Sequence, residues 1–266
     1  MRIAAIQMNS TPDRRHNLVE AYRLFQEAMD VGPNLIAFPE NFTLFADDKD
    51  LLSDKAENLR GPTVEILQEW AAEHDIWLLA GSLPIKGKSS KVTNTSLLFT
   101  PEGDIHSRYD KMHLFDVDVA GDRSYKESSS VEAGKKVVVA DTAWGKFGLS
   151  VCYDLRFPEL YRAQSEKGAT VLLIPSAFTA VTGKAHWDVL TRARAIENQA
   201  YVIAPAQTGS PYEGRMTHGH TRIVDPWGKV IAERPAGTGV VWADLNFEHL
   251  EKIRRDLPVL SHRKIL

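Results

Sequence analysis

Gly148-Leu149-Ser150-Val151-Cys152-Tyr153-Asp154-Leu155-Arg156-Phe157-Pro158-Glu159 begins as a buried apolar strand, breaks into a turn at the only cysteine of the chain, and opens a helix near Pro158. A thiol at a strand end that faces a helix N-terminus is biased toward thiolate and presented at a sheet edge. A free cysteine is also among the most buried residue types, so the segment by itself reads as either a nucleophile or core packing.

Outward from this segment the chain alternates strands with amphipathic helices. Upstream, Ile3 to Met8 reads as a strand, and Thr11-Pro12 offers a cap to a helix with Leu18, Ala21, Tyr22, Phe25, Ala28 and Met29 on one face. A strand at Asn34 to Pro39 follows, then a helix from Pro62 with Val64, Leu67, Trp70 and Ala71 inward. Next come a strand over Ile76 to Leu83 and a hairpin of Ser96–Thr100 with Ile105–Tyr109 around Pro101-Glu102-Gly103-Asp104. Residues 112–136 read as a long polar loop.

The second half repeats the theme. Strands are expected at Val137–Ala140, Phe147–Val151, Val171–Pro175, Tyr201–Pro205, Thr221–Val224, Val230–Glu233 and Val240–Asp244, and helices from Pro158 to Gly168 and over Ala185–Asn198. About twelve strands with four substantial helices are too few helices to cover both faces of one open sheet. The expected fold class is therefore α/β, a four-layer αββα sandwich of two stacked mixed sheets, with the halves related as a weak duplication and residues 1–266 forming one domain.

Composition narrows the function classes. The 43% apolar content supplies a sizeable core, and 32 Lys+Arg against 35 Asp+Glu leave no basic footprint for nucleic acid or an anionic membrane. One cysteine excludes an internal disulfide and a cysteine-based zinc site, and suits a reducing compartment. No apolar run approaches the ~20 residues of a membrane span, and Ile3–Ile6 is too short for a signal segment. A soluble cytoplasmic protein is expected.

Two further polar residues stand at strand ends. Glu40 follows Leu35–Phe38 directly, and Lys111 ends the hairpin strand in Tyr109-Asp110-Lys111. If those strands neighbour the one before Cys152, a carboxylate, an ammonium and a thiol converge on one rim. The carboxylate takes the thiol proton, and the ammonium favours the thiolate. Attack on an amide carbon makes an oxyanion that Lys111 and the backbone N–H of Tyr153 meet, and Glu40 then protonates the departing ammonia and activates water against the thioester. The scheme needs no histidine, metal or cofactor. Taken singly, Glu40 reads equally as a turn residue and Lys111 as a surface lysine.

Phe38-Pro39-Glu40, Tyr109-Asp110-Lys111-Met112-His113-Leu114-Phe115 and Cys152-Tyr153-Asp154-Leu155-Arg156-Phe157-Pro158-Glu159 resemble, in order, the three signature segments of the nitrilase superfamily of carbon-nitrogen hydrolases. Ala185-His186-Trp187, Arg192 to Gln199 and Val224-Asp225-Pro226-Trp227-Gly228 extend the resemblance over nearly the whole chain. The resemblance implies Glu40 as base, Lys111 as oxyanion donor, Cys152 as nucleophile, and Glu127 as a second glutamate that orients Lys111. It also implies the αββα fold and a homodimer through the helices after the nucleophile.

The strings around Lys111–Val119 and Phe178–Gly183 are similar to the amidase branch acting on 2-oxo acid amides. That likeness implies a small-molecule amide substrate, deaminated glutathione, with 2-oxoglutaramate or 2-oxosuccinamate as the alternative. Such a substrate is anionic, and Arg156 is the best-placed fork for its carboxylate, helped by Thr182 and Thr179, with Tyr153 and Phe178 as apolar walls. Arg156 reads equally as an ion-pair partner of Glu159. The pocket outline is expected to depend on loops 41–60, 86–93 and 209–217.

Three rivals remain. A papain-like enzyme would pair Cys152 with His113, His186, His218 or His220, but the cysteine lacks that context near the N-terminus. His218-Gly219-His220 with Asp116 and Asp118 is a possible metal cluster lacking a third histidine. A non-catalytic scaffold is disfavoured by the intact Glu, Lys and Cys set.

Overall fold

The structure, a computed structural model, describes residues 1–265. The first half runs β1 (Arg2–Gln7), α1 (Arg14–Met29), β2 (Leu35–Ala37), α2 (Lys49–Lys55), α3 (Pro62–Glu73), β3 (Trp77–Lys86), β4 (Val92–Phe99) and β5 (Ile105–Asp110). A short ribbon of β6 (Asp116–Val117) and β7 (Tyr125–Lys126) leads to the second half. There β8 (Val139–Thr142), β9 (Gly145–Leu149), α4 (Pro158–Glu166), β10 (Ala169–Leu173), α5 (Ala180–Asn198) and β11 (Tyr201–Ala204) are followed by the hairpin β12 (Thr208–Tyr212) and β13 (Arg215–His218). The chain then forms β14 (Thr221–Val224), β15 (Val230–Arg234), β16 (Gly239–Asp244) and α6 (Phe247–Asp256).

Two six-stranded sheets result, ordered β16-β1-β2-β3-β4-β5 and β15-β14-β11-β10-β9-β8. In the first, β1, β2 and β3 are parallel, with β16 antiparallel at one side and β4 and β5 antiparallel at the other. The second repeats the pattern with β9, β10 and β11 parallel, β8 on one side and β14 and β15 on the other. The expected duplication is visible here, except that the chain's last strand returns to flank β1.

Strand alternation divides the core. Ile3, Ala5, Leu35, Ala37 and Leu79 point into the space between the sheets, while Ala4, Ile6, Ile36, Leu78 and Ala80 point outward onto α1 and α3. The outer layer of the second sheet is α4 and α5. Each fully buried Leu, Ile or Val contributes ~1.5–3 kcal/mol of transfer free energy, so both interfaces are needed to hold the four layers.

Several local expectations differ from what is observed. α1 is capped by Asp13, whose side chain accepts from His16 N at 3.2 Å, whereas the Thr11 hydroxyl accepts from Asp13 N one turn earlier. Residues 112–136 are not a plain loop, because they fold the β6–β7 ribbon and a 3-10 turn over Glu127–Ser129. α5 begins five residues earlier than Ala185, since Thr179 caps it. α2 and α6 are additional helices; α6 buries only Leu250 and Ile253, too few positions to stand out against its charged neighbours.

Candidate active site

Each of the three strand-end residues leaves its strand where the local chain is forced to turn. Phe38 N still bonds Leu79 O at 3.0 Å, and Pro39 then lifts Glu40 off the sheet. β3 follows this detour closely: a Cβ on Gly81 would lie 1.9 Å from Phe38 O, so only glycine allows the approach. Asn41 turns away with φ 57° and donates its N–H to Ser82 Oγ at 2.9 Å.

Cys152 sits just beyond β9, with φ 49° in the left-handed region and its N–H on Pro175 O at 2.9 Å. The strained turn is held from below by Asp154, fully buried, whose carboxylate accepts from Val151 N (2.9 Å), Tyr109 Oη (2.6 Å) and His113 N (3.0 Å) and contacts His113 Nδ1 (2.7 Å). Ala177 N, after β10, donates to Cys152 Sγ at 3.4 Å.

Lys111, 2% exposed, brings the glutamates together. Its Nζ lies 2.9 Å from Glu40 Oε1, and 3.1 and 2.9 Å from the two oxygens of Glu127. Burial opposes the ammonium, but the Glu127 and Glu40 charges overcome it and raise its pKa well above the usual lysine value. Glu127 is aimed by the β6–β7 ribbon, because its Oε2 also accepts from Phe115 N at 2.6 Å.

One bridging residue escaped the sequence reading. Asn94 Nδ2 donates to Glu40 Oε1 (3.0 Å) and to Glu127 Oε1 (3.2 Å), and Asn94 O accepts from Lys111 N (2.9 Å). An asparagine inside the strand Val92–Phe99, a residue type depleted from strands, is the signal that marks it. Gln207 Nε2, from the segment between β11 and β12, closes the set through a 2.9 Å bond to Glu40 O.

The thiol differs from the sequence expectation. The turn that opens at Cys152 is a five-residue 3-10 segment, with α4 starting only at Pro158, so no long helix aims its N-terminus at the sulfur. Burial pushes the thiol well above its ordinary pKa, the Glu40 charge adds to this, and Lys111 opposes it. The resting sulfur is therefore protonated at neutral pH and needs a neighbouring base.

These residues line a cavity of about 240 Å³ together with Tyr153, Arg156, Phe178, Thr179 and Thr182. Arg156 is half-buried, with Nη1 3.0 Å from His186 Nδ1 and its guanidinium 5.1 Å from the Phe178 ring centroid. It makes no ion pair with Glu159 or any other described residue. Thr179 Oγ1 caps Thr182 N at 3.2 Å, and the two hydroxyls stand 3.0 Å apart at the cavity wall. Arg215, from β13, is a further cation in the lining, which nothing in loop 209–217 distinguished in the sequence.

Among the described residues no histidine lines this cavity. His113 is bound to Asp154 and stacks on Phe157 at 3.7 Å, and His218 stacks on His220, which bonds Glu233. Asp116 and Asp118 are taken by Ser128 and Ser124 at the ribbon. Neither the papain-like pairing nor the His218/His220 cluster is assembled.

The carbon-nitrogen hydrolase family model matches residues 2–255. The deaminated glutathione amidase of Synechocystis sp. is 46% identical over 264 residues, covering 98% of this chain and 97% of that protein. Among solved structures, the C. elegans NitFhit protein superposes with a TM-score of 0.93 at 38% identity, over 99% of this chain and 65% of that one. Saccharomyces cerevisiae Nit3, a member of branch 10 of the nitrilase superfamily, gives a TM-score of 0.90 at 33% identity over 100% and 97% of the two chains.

Proposed function

The chain belongs to the carbon-nitrogen hydrolase family, and from that premise we propose that it is an amidase that cleaves the terminal amide of a 2-oxo acid, with deaminated glutathione as its substrate. The likeness to the Synechocystis amidase supports the choice of substrate. The observation that carries the chemistry is the single Lys111 ammonium shared by Glu40 and Glu127 in the cavity that holds Cys152.

In this reading Glu40 accepts the Cys152 proton as Sγ attacks the amide carbon, and Lys111 with the N–H of Tyr153 receives the oxyanion. Collapse breaks the carbon–nitrogen bond, with Glu40 returning its proton to the nitrogen. From deaminated glutathione the departing amine is cysteinylglycine; from a primary amide it is ammonia. Glu40 then takes a proton from water, which attacks the thioester, and the acid leaves as Sγ recovers its proton. Glu127 and Asn94 orient Lys111, and Arg156 binds the carboxylate of the 2-oxo acid, between the Tyr153 and Phe178 walls.

The test is product release over a small panel: deaminated glutathione, 2-oxoglutaramate, 2-oxosuccinamate, glutamine and an aliphatic nitrile. The tripeptide is expected to have the highest kcat/KM, and Cys152→Ala to abolish all turnover. A preference for 2-oxoglutaramate would make the protein an omega-amidase instead, and turnover retained by the alanine variant would reject the thioester route.

We also assign the outer face of α5 to a homodimer. Val181, Val189 and Ile196 are exposed along one stripe of α5, and the Trp227–Gly228 turn, with Trp227 exposed, packs beside Ile196. Val189→Glu is expected to shift the protein to monomer in light scattering; an unchanged mass would remove this face from the interface. No helix among the described residues is long and apolar enough to cross a membrane, and a working thiol suits the reducing cytoplasm.

A further inference from the structure

Three arginines are nearly fully buried, and two of them are neutralised. Arg222 contacts Asp188 at 2.7 Å and also Glu233, and Arg194 pairs with Glu197 at 2.9 Å while donating twice to Leu155 O. Arg215, 6% exposed, is the exception, since no carboxylate among the described residues lies within ion-pair distance of it. Its Nη2 donates to Ala177 O at 2.7 Å, but its Nε is buried without a partner. The guanidinium lies 4.5 Å from the Tyr125 ring centroid, 5.7 Å from that of Phe45 and 5.9 Å from that of Phe115. Asp122 senses the Arg215 charge from beyond ion-pair distance; its Oδ1 accepts from Tyr125 Oη at 2.8 Å and from Arg123 N at 2.9 Å, and its Oδ2 is buried without a hydrogen-bond partner.

A desolvated cation with no carboxylate within ion-pair reach is costly unless a ligand completes it. Arg215 faces the cavity that holds Cys152, so the missing partner is an anion delivered with the substrate. Arg156 is a second guanidinium in the same lining that lacks a carboxylate, and it shares that lining with Cys152. Two unpaired forks in one cavity call for a substrate with two anionic groups. Glutathione without its amine carries two: the 2-oxo acid carboxylate, four carbon–carbon bonds from the scissile carbon, and the glycine carboxylate, two residues or ~7 Å beyond it on the amine side.

We propose that Arg215 binds the glycine carboxylate of the departing cysteinylglycine and thereby selects the tripeptide over 2-oxo acid amides that lack the tail. The assignment rests on the substrate reading above and extends it to the leaving group. Arg156 holds the acyl end near the sulfur; Arg215, walled by Phe45, Phe115 and Tyr125, holds the far end of the amine.

The experiment compares deaminated glutathione with its glycinamide form, which lacks only the terminal charge, and with 2-oxoglutaramate, on wild type, Arg215→Gln and Arg215→Lys. Wild type is expected to prefer the free acid over the glycinamide by about 10- to 100-fold in kcat/KM, carried by KM, the range for a charged hydrogen-bonded pair. Arg215→Gln should erase that preference and lower the ratio of deaminated glutathione to 2-oxoglutaramate by the same factor, with Arg215→Lys between the two. Equal treatment of acid and glycinamide by wild type would overturn the assignment while leaving the amidase reading intact. So would an Arg215→Gln enzyme that slows 2-oxoglutaramate as much as the tripeptide, the mark of a purely structural arginine. If Arg215→Gln does not fold, the wild-type comparison and Arg215→Lys decide the matter. A wild type that never cleaves deaminated glutathione refutes the substrate reading and this assignment together.

Discussion

Glu40→Gln is expected to lower turnover by about 10²- to 10⁴-fold, the scale of a lost general acid-base catalyst, while making Cys152 easier to alkylate. The two effects run in opposite directions for one reason. Burial holds the thiol protonated, the Glu40 charge adds to that, and Lys111 opposes it. Glutamine keeps the shape and an oxygen for Lys111 but removes the negative charge, so the thiol pKa falls and more thiolate is present near neutral pH. The reaction loses its proton acceptor and its acid for the leaving nitrogen at the same moment. Iodoacetamide rates followed by mass spectrometry across the neutral range, beside steady-state turnover, read both arms. In wild type the rate should climb with pH beyond the ordinary thiol range. Alkylation that slows in step with turnover in Glu40→Gln would mean that Glu40 only shapes the site.

Lys111→Met carries the second large effect, and it falls on stability as well as activity. One ammonium is bonded to both Glu40 and Glu127, and the lysine and Glu40 are almost inaccessible to water. Methionine fills the stem but leaves two buried carboxylates facing each other without a counter-ion, a loss of ~3–5 kcal/mol for a broken buried pair. The sign with pH follows from which groups stay charged. In wild type the raised lysine pKa keeps its contribution present throughout the neutral range, to be lost only as pH rises past the folded value. In the variant the penalty comes from carboxylate charge, so acidification should narrow the gap between variant and wild type. Urea denaturation at neutral and mildly acid pH measures this, and Lys111→Met/Glu127→Gln should recover part of the loss. A variant as stable as wild type at neutral pH would show that the glutamates are neutralised by something other than Lys111.

Much of this site could be read from linear sequence because strand ends are local. Phe38-Pro39-Glu40 stops a strand with a proline, Lys111 follows a run paired in a hairpin, and Cys152 ends an apolar stretch before a turn; each is visible within a dozen residues. The layer count also followed from local periodicity, since alternation in β1 to β3 sends Ile3 and Leu79 to one face and Ala4 and Leu78 to the other. What misled was equally local: Thr11-Pro12 looks like a helix start, yet Asp13 has the better reach to His16 N.

The chain by itself thus determined the two-sheet architecture and which strand-end residues meet in the cavity, because hydrophobic period and strand termination are encoded over short windows. Only the tertiary structure decided that the thiol rests protonated, that Asn94 bridges both glutamates, and that Arg215 is a buried cation without a counter-ion. Those properties depend on desolvation and on distances between side chains 54 to 71 positions apart, such as Asn94 with Glu40 and Lys111 with Glu40. Charge interactions grow as water is excluded and separation shrinks, and neither quantity exists until the sheets have closed over the cavity.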